Sequence, residues 1–132
     1  MQAPIGDAAV SVVDARDIAA VAAAALAEEG HVGKTYTITG PAAVTHAEIA
    51  NSLGNAIGRP VRFESIPPEA FIAALTGVGM PKWQAEGLAE DYAHYERGEA
   101  SAVSPDVAQV AGTDPRGLRD FAHDYSEAFR SG

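Results

Sequence analysis

Residues 10–26 read Val10-Ser11-Val12-Val13-Asp14-Ala15-Arg16-Asp17-Ile18-Ala19-Ala20-Val21-Ala22-Ala23-Ala24-Ala25-Leu26, and this stretch decides the fold class. Val10, Val12 and Val13 are β-branched and suit a covered, pleated surface, so a strand is expected there. Asp17 then stands where a helix N-cap belongs, with a carboxylate able to accept the orphan amide hydrogens of the first turn. Ile18, Val21, Ala22, Ala25 and Leu26 recur at i, i+3, i+4, i+7 and i+8, which is one face of a helix. Most of the remaining positions are alanine, so this helix can pack closely against a sheet.

On either side of that unit the same alternation continues. Met1 to Asp7 carries Pro4 and Gly6 and reads as a loop. Gly30 is a natural left-handed stop for the first helix. Lys34 to Thr39 alternates and is rich in β-formers, which predicts a second strand ended by Gly40-Pro41. Thr45-His46-Ala47-Glu48 is a T-x-x-E capping box opening a helix through Ile49, Leu53 and Ile57 to Gly58. Val61 to Ile66 alternates again and predicts a third strand. Pro67-Pro68 stops it and opens a helix with Phe71, Leu75 and Val78 on its buried face. Residues 81–98 form a further helix, with Leu88, Tyr92 and Tyr95 along one side. Val107 and Val110 lie on a short helix that ends at Gly112. Pro115 opens the last helix, striped by Leu118, Phe121, Ala122, Tyr125 and Phe129. The order β-α-β-α-β followed by helices argues for an α/β class with about three mainly parallel strands and an all-helical C-terminal part. No internal repeat or long linker interrupts residues 1–132, which are read as one domain.

Bulk composition excludes several function classes. The formal charge is −9 and the isoelectric point about 4.7, so neither a nucleic-acid groove nor an anionic membrane surface is an expected partner. With no cysteine, disulfides, thiolate nucleophiles and cysteine metal sites are ruled out. His31, His46, His94 and His123 show no H-x-x-x-H or H-E-x-x-H spacing, so no metal is expected. No basic region followed by an apolar run opens the sequence, and no apolar run reaches the roughly 18 residues a spanning helix needs. The expected location is the cytoplasm.

Four motifs then fall in a familiar order and spacing: Val12-Val13-Asp14-Ala15-Arg16-Asp17-Ile18-Ala19, Gly33 to Pro41, Thr45-His46-Ala47-Glu48-Ile49-Ala50, and Gly58-Arg59-Pro60-Val61. Together they resemble the C-terminal half of the NmrA-like, NAD(P)-binding atypical short-chain dehydrogenase/reductases, over about Gly6 to Phe129. The resemblance implies a partial Rossmann-like fold and oxidoreductase ancestry. It also implies a substrate-covering role for the region around Met80, Trp83, Tyr92 and Tyr95. The family's opening strand, glycine-rich turn and helix, which hold the pyrophosphate, are not matched. Gly77-Val78-Gly79 is a G-x-G, but it follows a predicted helix and reads as a turn. Neither Tyr92 nor Tyr95 has a lysine four residues on. No cofactor is therefore expected on this chain alone, and NAD(P) only with a separate nucleotide-binding half.

Three functions stay open at this point. The chain is the substrate-binding part of an NAD(P)-dependent reductase; or a cofactor-free cyclase, isomerase or dehydratase acting on a small hydrophobic metabolite; or a non-catalytic sensor or interaction module. Candidate acid–base residues are His46, Asp14 and Tyr92. Asp14 and Asp17 could be a carboxylate pair at the end of a strand, or a cap and an ion-pair partner of Arg16. His46 could be a base or a solvated helix-start residue. Met80, Trp83, Tyr92 and Tyr95 could wall a pocket for a flat, oxygenated, apolar ligand, or be ordinary helix packing. Glu86, Glu90 and Asp91 read as a solvated face. Unpaired strand edges predict a homodimer through strand edges or exchanged elements, or a separate dinucleotide-binding subunit.

Overall fold

The structure is a computed structural model that describes residues 1–130. Its elements are β1 (Gln2–Ala3), β2 (Ala9–Val10), α1 (Ala15–Ala27), β3 (Val44–Thr45), α2 (His46–Ile57), β4 (Glu64–Ser65), α3 (Pro68–Gly77), α4 (Lys82–Glu96), α5 (Asp106–Ala111), α6 (Leu118–Asp124) and α7 (Ser126–Arg130). The class is mixed α/β, the partial Rossmann-like arrangement expected, with helices dominating. The strands themselves are much shorter than their sequence pattern. β1 pairs in parallel with β4, and β2 pairs antiparallel with β3.

Three differences from the sequence reading have local causes. The leading loop contains β1, because Met1 to Ala3 lies against residues 62–66: the Met1 ammonium donates to the Arg62 carbonyl, and Ile66 N–H donates to Ala3 O. The first strand is confined to Ala9–Val10, since the Ser11 amide and hydroxyl both turn to the Ala100 carbonyl. Residues 34–39 join no ladder among the described residues. Thr37 N–H donates to the Asp106 carboxylate instead.

α1 starts earlier than expected. Asp14, not Asp17, is the N-cap, accepting from Arg16 N–H at 2.8 Å. The helix is also turned from its expected face: Ile18 and Leu26 are exposed, while Asp17 and Val21 point inward towards α5. α2 has both halves of its capping box. Glu48 N–H donates to Thr45 Oγ1, and Thr45 N–H donates to Glu48 Oε2 at 2.7 Å. α3 begins at the proline pair and buries Phe71, whereas Val78 lies outside it and is exposed. On α4 the buried positions are Ala85 and Ala89, with Leu88 exposed. The last helix is broken at Tyr125 into α6 and α7, and Phe121 stacks on both Tyr125 and Phe129 across the break.

α2 packs on α6 and α7, α1 on α5, and α3 on α4. Gly40 is fixed by a close approach, not by an unusual φ. A Cβ there would collide with the Val12 carbonyl oxygen, so the chain after residue 39 lies directly on the chain before α1.

Candidate functional site

α4 sorts its side chains by helical phase. Ala85 and Ala89 are the small residues that let it sit close to α3, and Tyr92 continues that inward side. Trp83, Gly87 and Asp91 recur at i, i+4 and i+8 on a different face. They line a groove of about 380 Å³ together with Met80, Gln84 and Leu88. Trp83, the chain's single tryptophan, is largely exposed beside it. Gly87 leaves the helix surface bare, with open space where a Cβ would be. The groove is a flat, mostly apolar trough with one carboxylate, from Asp91, at its rim. A larger furrow of about 550 Å³ lined by Asn51, Asn55, Arg59 and Arg62 is more polar and has no aromatic surface.

Of the four expected pocket residues, Met80 and Trp83 are in the groove and Tyr92 and Tyr95 are not. Tyr92 instead stands in a ring cluster. Its centroid is 5.6 Å from His46, 5.3 Å from Phe71 and 5.7 Å from Tyr95, all close to edge-on. Tyr92 Oη is 3.4 Å from His46 Nε2. Burial pushes the Tyr92 hydroxyl pKa up, with the neighbouring Tyr95 adding to the effect, and burial pushes the His46 imidazole down. Both groups are therefore neutral near pH 7.

The third acid–base candidate, Asp14, is spoken for. Its carboxylate accepts from Arg16 Nε at 3.0 Å and Arg16 Nη2 at 2.7 Å as well as capping α1. The hydrogen bond from the Arg16 side chain holds its pKa below the usual carboxylate range. Arg16 reaches on to Asp124 at 2.7 Å and lies over the Tyr125 ring at 5.3 Å, clasping the start of α1 to the end of α6. Asp14 thus makes a separate set of contacts from His46 and Tyr92. Asp17 is the buried member of another pair, accepting from both the amide and the guanidinium of Arg116. No sequence signal pointed to Arg116. Gln84, Gly87 and Leu88 were also missed, although the spacing of Gly87 and Asp91 from Trp83 was there to find.

Gly77-Val78-Gly79 closes α3 and leads into α4. Its amides are used by that helix: Val78 N–H donates to Ala74 O and Gly79 N–H to Thr76 O. A diphosphate cradle needs such amides free and a strand in front of them, and this turn has neither. Among the described residues no three His, Asp or Glu side chains gather as a metal site requires, and no helix is long and apolar enough to cross a membrane.

Residues 1–122 match the NmrA-like family. The chain belongs to that family. It is 42% identical over 126 residues to the NAD(P)H azoreductase of Xenophilus azovorans, covering 96% of this chain and 44% of that protein. It is 31% identical over 107 residues to quinone oxidoreductase 2 of Escherichia coli, covering 81% of this chain and 37% of that one. Among solved structures, the NADPH complex of the E. coli quinone oxidoreductase superposes with a TM-score of 0.86 at 28% identity, over 98% of this chain and 44% of that one. The NADP(H) complex of Citrobacter triphenylmethane reductase gives 0.83 at 28% identity, over 96% and 44%. This NmrA-like chain therefore spans less than half the length of the relatives it matches, and those relatives are NAD(P)H-dependent reductases.

Proposed function

We propose that these 132 residues are the acceptor-binding part of an NAD(P)H-dependent reductase, and that the hydride carrier is held by a part of the enzyme outside them or by a separate subunit. The observation that carries this reading is the Met80–Trp83–Leu88 groove over the bare helix surface at Gly87. A trough of that shape suits a flat conjugated ring stacked on an indole, gaining apolar burial and offset-stacking energy together. The relatives' names fit such a ligand: an azo compound, a quinone and a triphenylmethane dye all present conjugated aromatic surface. The committed amides at Val78 and Gly79 fit a chain that binds the dinucleotide poorly unaided. The reductase's proton and hydride steps belong to the assembled enzyme, and this chain's contribution is to bind and orient the acceptor.

Because Trp83 is the only tryptophan, its emission reports the groove directly. Titration with a naphthoquinone is expected to quench it saturably, while NADPH alone gives no heat of binding by calorimetry. Gly87→Leu adds a side chain where the helix faces open space. It should leave the fold intact and weaken the quinone at least tenfold by filling the trough. Unsaturable quenching that is the same in Gly87→Leu would overturn the reading, as would tight NADPH binding.

A further inference from the structure

Among the described residues one buried side-chain polar atom has no partner: Nδ1 of His46. The ring sits at the first position of α2, with Phe63 at 5.4 Å and Tyr92 at 5.6 Å between centroids. A buried N–H without an acceptor costs more than a bare ring nitrogen, so the neutral ring carries its hydrogen on Nε2 and donates to Tyr92 Oη. Protonation would put a second N–H on Nδ1, where nothing accepts it. It would also put positive charge against the positive end of the α2 dipole.

No neighbouring acid relieves that charge. On α2 itself, Glu48 is committed to the Thr45 amide and hydroxyl. From residues 61–66 the ring meets Phe63, and the carboxylate of Glu64 accepts from Gln2. From α4 it meets Tyr92, with Tyr95 behind. From α3 only the Phe71 ring reaches the cluster, through Tyr92. β2, which also packs on α4, contributes Ala9 and Val10, neither of them titratable. Among the described residues no carboxylate pairs with His46.

The position of the pair matters because of what it joins. α2 belongs with α6 and α7, and α4 with α3; the His46–Tyr92 stack bridges the two groups. We propose that His46 and Tyr92 form a pH-sensitive latch on α4: neutral, the imidazole seats the helix that carries the Trp83 groove; protonated, it leaves the ring cluster and lets that helix loosen. The link to ligand binding rests on the groove reading above, and the latch itself does not.

The depressed imidazole pKa fixes the direction. The seated state binds a proton less readily than the open one. The latch is thus fully closed above the ordinary histidine value of 6.5 and weakens progressively as pH falls below it. Each unit separating the two states' pKa values corresponds to about a tenfold change in the opening equilibrium.

The test is a histidine NMR titration of the whole chain alongside amide hydrogen exchange of α4. His46 is expected to titrate below 6.5, and the α4 protection factors, which divide the intrinsic exchange rate at each pH by the observed one, to fall with the same midpoint as pH drops. His94 lies on α4 too, paired with Glu99 and Arg97. His46→Phe, which keeps a ring in the slot, should make α4 protection flat with pH; a pH response that survives it overturns the latch. The wild-type titration decides by itself if that variant does not fold: His46 titrating at or above 6.5, or α4 protection indifferent across its titration, overturns the proposal. Naphthoquinone affinity falling in step with α4 opening supports both readings. No quinone binding at any pH, with protection still following His46, removes the groove reading and leaves the latch standing.

Discussion

Asp17 is a carboxylate only 1% exposed on a helix whose other inward residue is Val21, and Arg116 is what makes this possible. The two ends of the pair are unequal. The Arg116 side chain is 41% exposed and can turn to water when its partner is lost. Asp17 cannot. Asp17→Ala should therefore cost about 1–3 kcal/mol, the price of lost hydrogen bonds and an orphaned Arg116 amide. Arg116→Ala strands a buried charge and should cost about 3–5 kcal/mol. Urea midpoints of the two variants check this, and an Asp17→Ala protein less stable than Arg116→Ala refutes it. The pair also explains a misreading. Asp14 and Asp17 are three residues apart and both suit a cap. What separates their roles is an arginine 99 residues away, which no local rule could supply.

At the scale of elements, α2, α3 and α4 keep close to the boundaries expected for them. Their signals are local: a Thr45–Glu48 box, a Pro67-Pro68 pair, a left-handed Gly58 at φ 74°. Strands fared worse, because a ladder depends on a neighbour and not on the residues that would join it. Lys34 to Thr39 has the composition of a strand and joins no ladder among the described residues. Gly40 reads as a strand terminator, whereas its role is to let two backbones touch. A β-forming segment left unladdered, in a chain that also exposes Val12 and Ile18, invites pairing with another chain. Light scattering at NMR concentration is expected to give a mass above that of the monomer. A monodisperse monomer would show that this edge is content with water.

For the whole molecule, family and fold class were legible, since they depend on the order and spacing of motifs along the chain. The groove was half legible. Met80 and Trp83 line it, but Tyr92 falls on the face continued from Ala85 and Ala89, not the face of Trp83, Gly87 and Asp91. Which aromatic on α4 faces outward is set by packing against α3, and the sequence of α4 alone is too evenly mixed to say. The His46–Tyr92 bridge was out of reach for the same reason as Arg116, its partners being 46 residues apart.

The exposed stretch around Val32 and Lys34 has a practical corollary. Lys34 and Lys82 are the only lysines, and Lys82 lies within the first turn of α4, paired with Glu86 at 3.4 Å. A lysine-specific protease should therefore nick the native protein once, after Lys34. The severed piece carries β1, β2 and α1, which stay bound through β4, β3, α5, Asp124 and Arg116. Two bands on a denaturing gel should co-elute as one species from a sizing column, making this small chain a candidate for reassembly from separately made fragments.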